Sequence, residues 1–543
     1  QEQNMKISKL TLAIATVLGA GATSGAFAMD LYVDTKTKQI YAEPGRGREL
    51  MGSFEKVQGG VPAKIAEKEE IKAIHEELAT KDNAIKALQE HAAEASAPTT
   101  AHVKLDDGIH FATNDGNFTA GINGRLQVDS QSNVNQNLAN PYLGGAAPTL
   151  PSALNDGATL RRARIGVEGT FFKSTGYKIE YDFTRGNGTT ASGLTDAYVS
   201  YNFSKPFQVK FGAFKEPFSL EEATSNRYIT FIERNMATNT FVDNFNTYKV
   251  GAGAFYSAER WQAATSLQTE GVGAYSNMSS ATNAQGGVNR NGGAGDTGWE
   301  VNGRVTGTPW MESKTKFLHV GTSGSYININ NNYNSAGGYN NGGIIFANGI
   351  GNNVDRSAIL NTGNLTQGSK NAAGSFQANH LTRFGAESAL VYGPFSTQAE
   401  YIQADISGTG YGASETLSGY YGYMTYFLTG ESRNYKSKTG SWDRIKPSRN
   451  FDMKGGWGAW EVAAGYDSLD LNTSKIKGGR ASTAKLGVNW YPNSHVRVMA
   501  NYIHALDINT GATATPTGTA DQTSRAFNNA DLDMVETRVQ LDW

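Results

Sequence analysis

Tyr177-Lys178-Ile179-Glu180-Tyr181-Asp182-Phe183 alternates an aromatic or aliphatic residue with a charged one at every step. Successive side chains of an extended chain point to opposite faces, so this stretch predicts a strand with one apolar face and one charged face. The same period of two recurs at 161–172, where Ile165, Val167 and Phe171 alternate with Arg162, Arg164 and Glu168. It is present again from Asn117, where Phe118, Ala120, Ile122, Leu126 and Val128 oppose Thr119, Asn123, Arg125, Gln127 and Asp129.

Working outward, further alternating segments lie near 195–204, 207–215, 248–257, 260–269, 298–308, 315–327, 380–392 and 395–406. The last five lie near 416–429, 456–470, 479–491, 494–508 and 532–543. The total is sixteen. Short connections such as Gly393-Pro394 and Pro492-Asn493 alternate with long Asn/Gly-rich ones at 216–247, 270–297 and 328–379. A soluble sandwich also has short alternating strands, but it has no use for a charged face in nearly every one. A transmembrane barrel turns the apolar face to lipid and the charged face to its lumen, and an even strand count with short and long connections is its expected asymmetry. Val535, Thr537, Val539, Leu541 and Trp543 share one face of the last segment, a terminal aromatic strand of the kind outer-membrane barrels carry. The 430–455 connection falls on the short-turn side yet is long and basic, and the sequence offers no account of it.

The composition agrees. The 543 residues include 63 Gly, 25 Tyr, 24 Phe and no Cys, with a mean hydropathy of -0.44. Lack of Cys excludes disulfides, thiolate metal sites and cysteine nucleophiles. A net charge of -2 gives no electrostatic reason to expect nucleic acid. Lys6 and Lys9, the uncharged run Leu10–Ala20 and Ala26-Phe27-Ala28 predict a secretory signal cleaved after Ala28, with residues 1–4 as extra sequence. That apolar run is shorter than the ~20 residues of a membrane-spanning helix. Ile71, Ile74, Leu78, Ile85 and Leu88 fall at heptad a and d positions, with Lys81 at one d; the alternatives are a lone amphipathic helix or a short coiled coil, for which Ile at a and d favours three strands. The predicted fold is therefore all-β, a 16-stranded antiparallel transmembrane barrel preceded by a short α-helical coiled coil. Its expected parts are a signal at 1–28, a periplasmic segment at 29–63, the helix at 64–94, a linker at 95–116 and the barrel at 117–543.

Several stretches resemble the phosphate-selective porin O and P family: Leu160-Arg161-Arg162-Ala163-Arg164-Ile165-Gly166-Val167-Glu168-Gly169, Tyr177 to Phe183, Asp196-Ala197-Tyr198-Val199 and Phe211-Gly212-Ala213-Phe214-Lys215-Glu216-Pro217-Phe218. Phe231-Ile232-Glu233-Arg234, Gly458 to Tyr466 and Leu486 to Asn493 continue the similarity in order. The resemblance implies a homotrimeric, 16-stranded, anion-preferring outer-membrane pore with an inward-folded third loop, here 216–247. Gly465 stands where many members carry Arg.

Clustered Arg and Lys hold anions by charge-assisted hydrogen bonds, and the planar guanidinium fork matches phosphate or sulfate oxygens. Candidate anion-binding or pore-lining residues are Arg125, Arg162, Arg164, Lys178, Lys210 and Lys249 on the wall, with Lys215, Arg227 and Arg234 carried by the inward loop towards the facing wall. The competing role for each wall Arg is a lateral salt bridge to Glu168, Glu180 or Asp182. Glu216, Glu221, Glu222 and Glu233 oppose an anion path and are expected to pin the loop to the wall. Simple alternation puts Arg161 on the lipid side, where a midplane charge would cost ~2–4 kcal/mol, so it is expected at the rim. Tyr177, Tyr201, Trp299 and Trp490 are candidates for the interfacial aromatic girdles. The functional expectation is passive diffusion of small inorganic anions across an outer membrane, with no cofactor or metal. The alternatives are a weakly selective general diffusion porin, or a structural barrel tied to the cell wall through its coiled coil. Eight scattered His beside no nucleophile pattern argue against an enzyme.

Overall fold

The computed structural model describes residues 29–54, 63–95, 101–105, 108–138, 153–184, 193–243, 248–271, 298–328, 346–363, 365, 377–409, 414–510 and 526–543. The signal expected at 1–28 lies outside them. The chain divides into two compact units, 1–94 and 95–543.

In the first unit, Met29–Asp34 pairs with both Ile40–Tyr41 and Arg48–Phe54 in a three-stranded antiparallel sheet. The Arg48 guanidinium lies 3.4 Å above the Tyr41 ring. A helix runs from Ala63 to Ala95, and Ile74, Leu78, Ile85 and Leu88 of the heptad stripe are exposed along it.

In the second unit sixteen antiparallel strands close a barrel. They are β1 Phe118–Asn137, β2 Gly157–Phe171, β3 Thr175–Asp182, β4 Leu194–Asn202, β5 Phe207–Lys215, β6 Tyr248–Ser257, β7 Trp261–Gly271 and β8 Trp299–Ser313. The remainder are β9 Lys316–Asn328, β10 Gln377–Tyr392, β11 Phe395–Thr409, β12 Glu415–Phe427, β13 Ala459–Asn472, β14 Lys477–Tyr491, β15 Val496–Asn509 and β16 Asp531–Asp542. Polarity is inverted relative to a soluble domain, because lipid replaces the core and the lumen replaces the surface. Leu126, Ile165, Val199, Val305, Met424 and Val539 face outward and are exposed, whereas Arg125, Lys249, Glu300, Arg383 and Arg538 face inward and are buried. Outward rings cluster at the two rims. At the short-turn end Phe171 meets Tyr177 at 5.0 Å, Tyr201 meets Phe203 at 4.9 Å and Trp460 stacks on Trp490 at 5.6 Å. At the long-loop end Trp299 lies 5.6 Å from Tyr326. All four expected girdle residues sit in these belts.

Two expectations are corrected. The stretch expected as a linker carries a hairpin, Ala101–Leu105 with Ile109–Thr113, and its second strand pairs with β1 from Ile109↔Ile122 to Ala112↔Thr119. Above it the same edge of β1 receives β16, from Asp542↔Arg125 to Asp531↔Asn137, so the edge is filled by two partners in succession. The second correction is Arg161. In the β1–β2 ladder the partner of Gln127 is Arg162 and that of Val128 is Leu160, so Arg161 is the extra residue of a β-bulge. The bulge breaks the alternation and turns Arg161 and Arg162 into the lumen together.

Closure is sealed at Trp543, whose backbone N–H donates to Gly124 O at 3.2 Å while Gly124 N–H donates to Trp543 O at 3.0 Å. The indole ring lies over Gly124, where a Cβ would overlap it. Gly124→Val is therefore expected to lower barrel stability by about 1–3 kcal/mol through overpacking, read as an earlier loss of heat-resistant gel mobility; unchanged mobility would contradict this role.

Candidate functional site: the lumen constriction

The segment after Lys215 enters the lumen and stays there. Glu216 fixes its root between two strands: Arg383 Nη1 and Nη2 on β10 donate to its two carboxylate oxygens at 2.9 and 2.6 Å, and Lys249 Nζ on β6 donates at 2.9 Å. Glu300 on β8 shares Lys249 at 2.5 Å. This four-residue cluster is fully buried, which suits charges only when each is paired. Ser219, at φ +64°, caps the short helix Leu220–Ala223. The Glu400 carboxylate on β11 accepts the exposed N–H groups of Leu220 at 3.0 Å and Glu221 at 2.8 Å.

From there the loop follows the wall. Asn226 accepts from Arg125 on β1, and its carbonyl accepts from Gln127 at 3.2 Å. Arg497 on β15 donates to Ile229 O at 2.7 Å and Thr230 O at 3.1 Å, and Arg538 on β16 donates to Ile232 O at 2.6 Å. Arg161 forms a two-pronged pair with Glu233 at 2.8 and 3.1 Å. Met236 N–H donates to Asp467 on β13 at 2.8 Å, and Arg383 reaches Phe241 O at 2.7 Å. Wall guanidinium groups thus hold loop carbonyls, which otherwise would be buried without donors. A second long connection also enters. Asn348 between β9 and β10 donates to Met236 O at 2.9 Å, and Asn353 Nδ2 donates to Asp129 at 3.0 Å.

The long basic connection between β12 and β13, left without a role by the sequence, folds into the lumen from the short-turn end. Arg304 on β8 donates to Thr439 O at 3.1 Å and Gly440 O at 2.7 Å. Tyr435 Oη meets His319 Nδ1 at 2.7 Å. Trp442 is buried with Leu220, Phe317, Ala389 and Val391, and its backbone N–H donates to Thr224 Oγ1 at 3.2 Å. Arg433 lies 4.0 Å above the Trp442 ring. Inserts from both ends therefore meet at Leu220 and Thr224.

Six of the nine sequence-predicted residues are paired with carboxylates. Arg125 and Arg164 share Glu180 at 2.7 and 2.9 Å, and Arg164 also holds Asp182 at 2.7 Å. Lys178 lies 3.3 Å from Asp196 and 3.6 Å from Glu168. Lys249 belongs to the Glu216 cluster. Lys215 and Arg234, expected to reach the facing wall, do not; Lys215 at the end of β5 and Arg234 in the loop both pair with Glu222. The other three differ. Arg162 donates to Gln127 at 3.0 Å, Arg227 donates to Asn123 at 3.3 Å, and Lys210 sits 4.7 Å from the centres of both Tyr198 and Phe255; none has a carboxylate partner among the described residues. Of the loop acids, Glu216, Glu221 and Glu233 pin the loop to the wall, Glu221 by accepting from Gln398 on β11 at 2.9 Å, while Glu222 ties Arg234 to Lys215 at the end of β5.

Sequence reasoning missed Arg161 and Arg433. Three Arg in the four residues 161–164 were a usable sign of broken alternation, since one of them had to leave the lipid face; Arg433 carried no comparable signal.

The family model described as phosphate-selective porin O and P matches residues 152–543. Porin O of Pseudomonas aeruginosa is 30% identical over 423 residues, covering 74% of this chain and 86% of that protein. An uncharacterized protein of Caulobacter vibrioides is 28% identical over 419 residues, covering 77% and 74%. Among solved structures, an anion-selective porin from Comamonas acidovorans shares 11% identity at a TM-score of 0.44, covering 78% of this chain and all of that one. The outer-membrane channel DcaP of Acinetobacter baumannii shares 12% identity at a TM-score of 0.40, covering 78% and 97%. With a closed barrel, a charged lumen and a family match over most of its length, the chain belongs to the phosphate-selective porin O and P family, as a porin of the bacterial outer membrane.

Proposed function

We propose that the barrel is a passive pore preferring small anions, phosphate and sulfate among them, and that Arg162 and Arg227 are its main anion contacts. The observation carrying this reading is that Arg162, buried, and Arg227, half-buried, donate to Gln127 and Asn123 on either side of Arg125 and have no carboxylate partner among the described residues. A cation in a confined lumen gains from a passing anion what it lacks from the wall, and several weak contacts in series permit flow where one tight site would trap the ion. Lys210 adds a third contact nearer the short-turn end, which is the periplasmic end. Arg125, Arg164, Lys178, Lys215, Arg234 and Lys249 support the field but are mostly committed to their carboxylates. That commitment favours a second reading, a weakly selective general diffusion porin.

In a planar bilayer under a KCl gradient, the wild type is expected to give an anion-selective reversal potential and phosphate block of chloride current. Replacing Arg162 and Arg227 by Ala is expected to raise the blocking concentration about tenfold or more. An unselective or cation-preferring pore without block would assign general diffusion instead.

The Glu216 cluster sets how firmly the loop narrows the lumen. Glu216→Gln removes the carboxylate that Lys249 and Arg383 share most closely, a loss of about 3–5 kcal/mol for a broken buried pair. Larger and noisier single-channel conductance is expected, and unaltered conductance would remove the cluster from this role.

The helix completes the proposal. Its exposed heptad stripe supports a homotrimeric coiled coil, which we assign to the periplasm with the cell wall as its partner, and outer-membrane lipids surround the barrel. Because the chain has no Cys, Leu78→Cys at an a position is expected to cross-link under oxidation, whereas Asn83→Cys on the opposite face is not. Equal cross-linking of both would argue against the coiled coil.

A further inference from the structure

Near the short-turn end, β4, β5 and β6 turn an aromatic patch into the lumen. Tyr198, Lys210 and Phe255 are each next in sequence to an outward, exposed side chain, Val199, Phe211 and Tyr256 respectively, so alternation points all three inward. Phe214 stands edge-on to both rings, 6.4 Å from Tyr198 at 83° and 6.1 Å from Phe255 at 69°. Gly253 makes the room. It is buried beneath the rings of Phe214 and Phe255, where a Cβ would stand 3.0 Å from one and 2.9 Å from the other. Phe214 is buried too, whereas Tyr198, Lys210 and Phe255 are half-buried and keep part of their surface open. Water reaches this stretch of wall: Lys178, opposite Tyr198 in the ladder, has a side chain 21% exposed, and that of its own neighbour Glu168 is 53% exposed.

Lys210 is set apart from the other lumen cations by what surrounds it. Its Nζ lies 4.7 Å from the centres of both the Tyr198 and the Phe255 ring. Ring faces attract an ammonium but do not take up its three N–H donors as a carboxylate would. The carboxylates of this stretch are engaged by Lys178, which lies 3.3 Å from Asp196 and 3.6 Å from Glu168, and Lys210 has no ion pair among the described residues. An oxyanion supplies the acceptors that Lys210 lacks. A solute cation would meet Lys210 and Lys178 instead, an uncharged ring would leave the ammonium donors unused, and a bare phosphate would leave the rings unused. An anion attached to a flat aromatic group uses both. Because the ammonium and the rings are in mutual contact, one small solute reaches them together.

We propose that Tyr198, Lys210 and Phe255 form a stacking subsite at the short-turn end of the pore, and that the solutes it favours are anions carrying a flat aromatic group, such as aryl phosphates and aryl carboxylates. The inference rests on the anion reading for the charged end of the solute and adds to it a preference for what that end is attached to. Lys210 holds the oxyanion, and the two rings pack against the aromatic group.

The test compares block of the chloride current by phenyl phosphate and by methyl phosphate, which carry the same charged group. The wild-type protein is expected to be half-blocked by phenyl phosphate at about fivefold lower concentration, the size of one aromatic contact. Tyr198→Leu and Phe255→Leu keep an apolar side chain but remove the ring, and each is expected to bring the two half-blocking concentrations to within about twofold of one another. Retained heat-resistant gel mobility shows that a variant is folded, and the wild-type comparison decides alone if neither is. Equal block of the wild type by the two compounds, or a phenyl preference that survives in both folded variants, would overturn the subsite and leave the anion reading intact. No block by either compound would overturn both.

Discussion

Every backbone N–H and C=O at membrane depth needs a partner within the protein, because hydrocarbon offers none. The closed ladder from β1 to β16 meets that constraint, and it dictates the rest. Closure forces a period of two on every strand, with apolar side chains outside and everything else inside. The charges of this chain therefore concentrate in a confined lumen, where an unpaired ion costs several kcal/mol. The lumen is accordingly a network of short ion pairs, and among the described residues Arg162, Arg227 and Lys210 stand outside it.

That network explains why so basic a wall does not make a uniformly basic pore. Carboxylates on neighbouring strands absorb most of the guanidinium charge, as Glu180 does for Arg125 and Arg164. Other guanidinium groups are turned to a structural task, holding the carbonyls of a loop that crosses polar space without secondary structure of its own. Arg497 and Arg538 bind three loop carbonyls between them. The same residue type thus has two roles in one lumen. Position relative to the nearest carboxylate or carbonyl separates them.

The barrel was legible in the sequence because its signal is local: alternation at 177–183 and its repeats located all sixteen strands to within a few residues, except that β1 continues well past Val128. The helix was legible for the same reason. What was hidden is non-local or irregular. A single bulge at Arg161 reverses the side of one residue without altering composition. The partner of each Arg lies on another strand or in the loop, as with Arg383 and Glu216, 167 positions apart. The insertion at 430–455 was visible as an anomaly of length and charge, but its direction depends on Trp442 finding Leu220 and Phe317. The hairpin at 101–113 escaped notice because one turn of two short strands carries too little periodicity to stand out.

The residues that clamp the inward loop come from β1, β2, β6, β10, β11, β13, β14, β15 and β16, while the loop itself leaves the wall after β5. Arg538, 306 positions from the carbonyl it binds, is on the last strand of all. Contacts of such separation form late, after the chain between them has been ordered. Until β16 is in place the loop lacks the Arg538 part of its clamp, so the same strand that closes the wall also completes the hold on the segment that fills it.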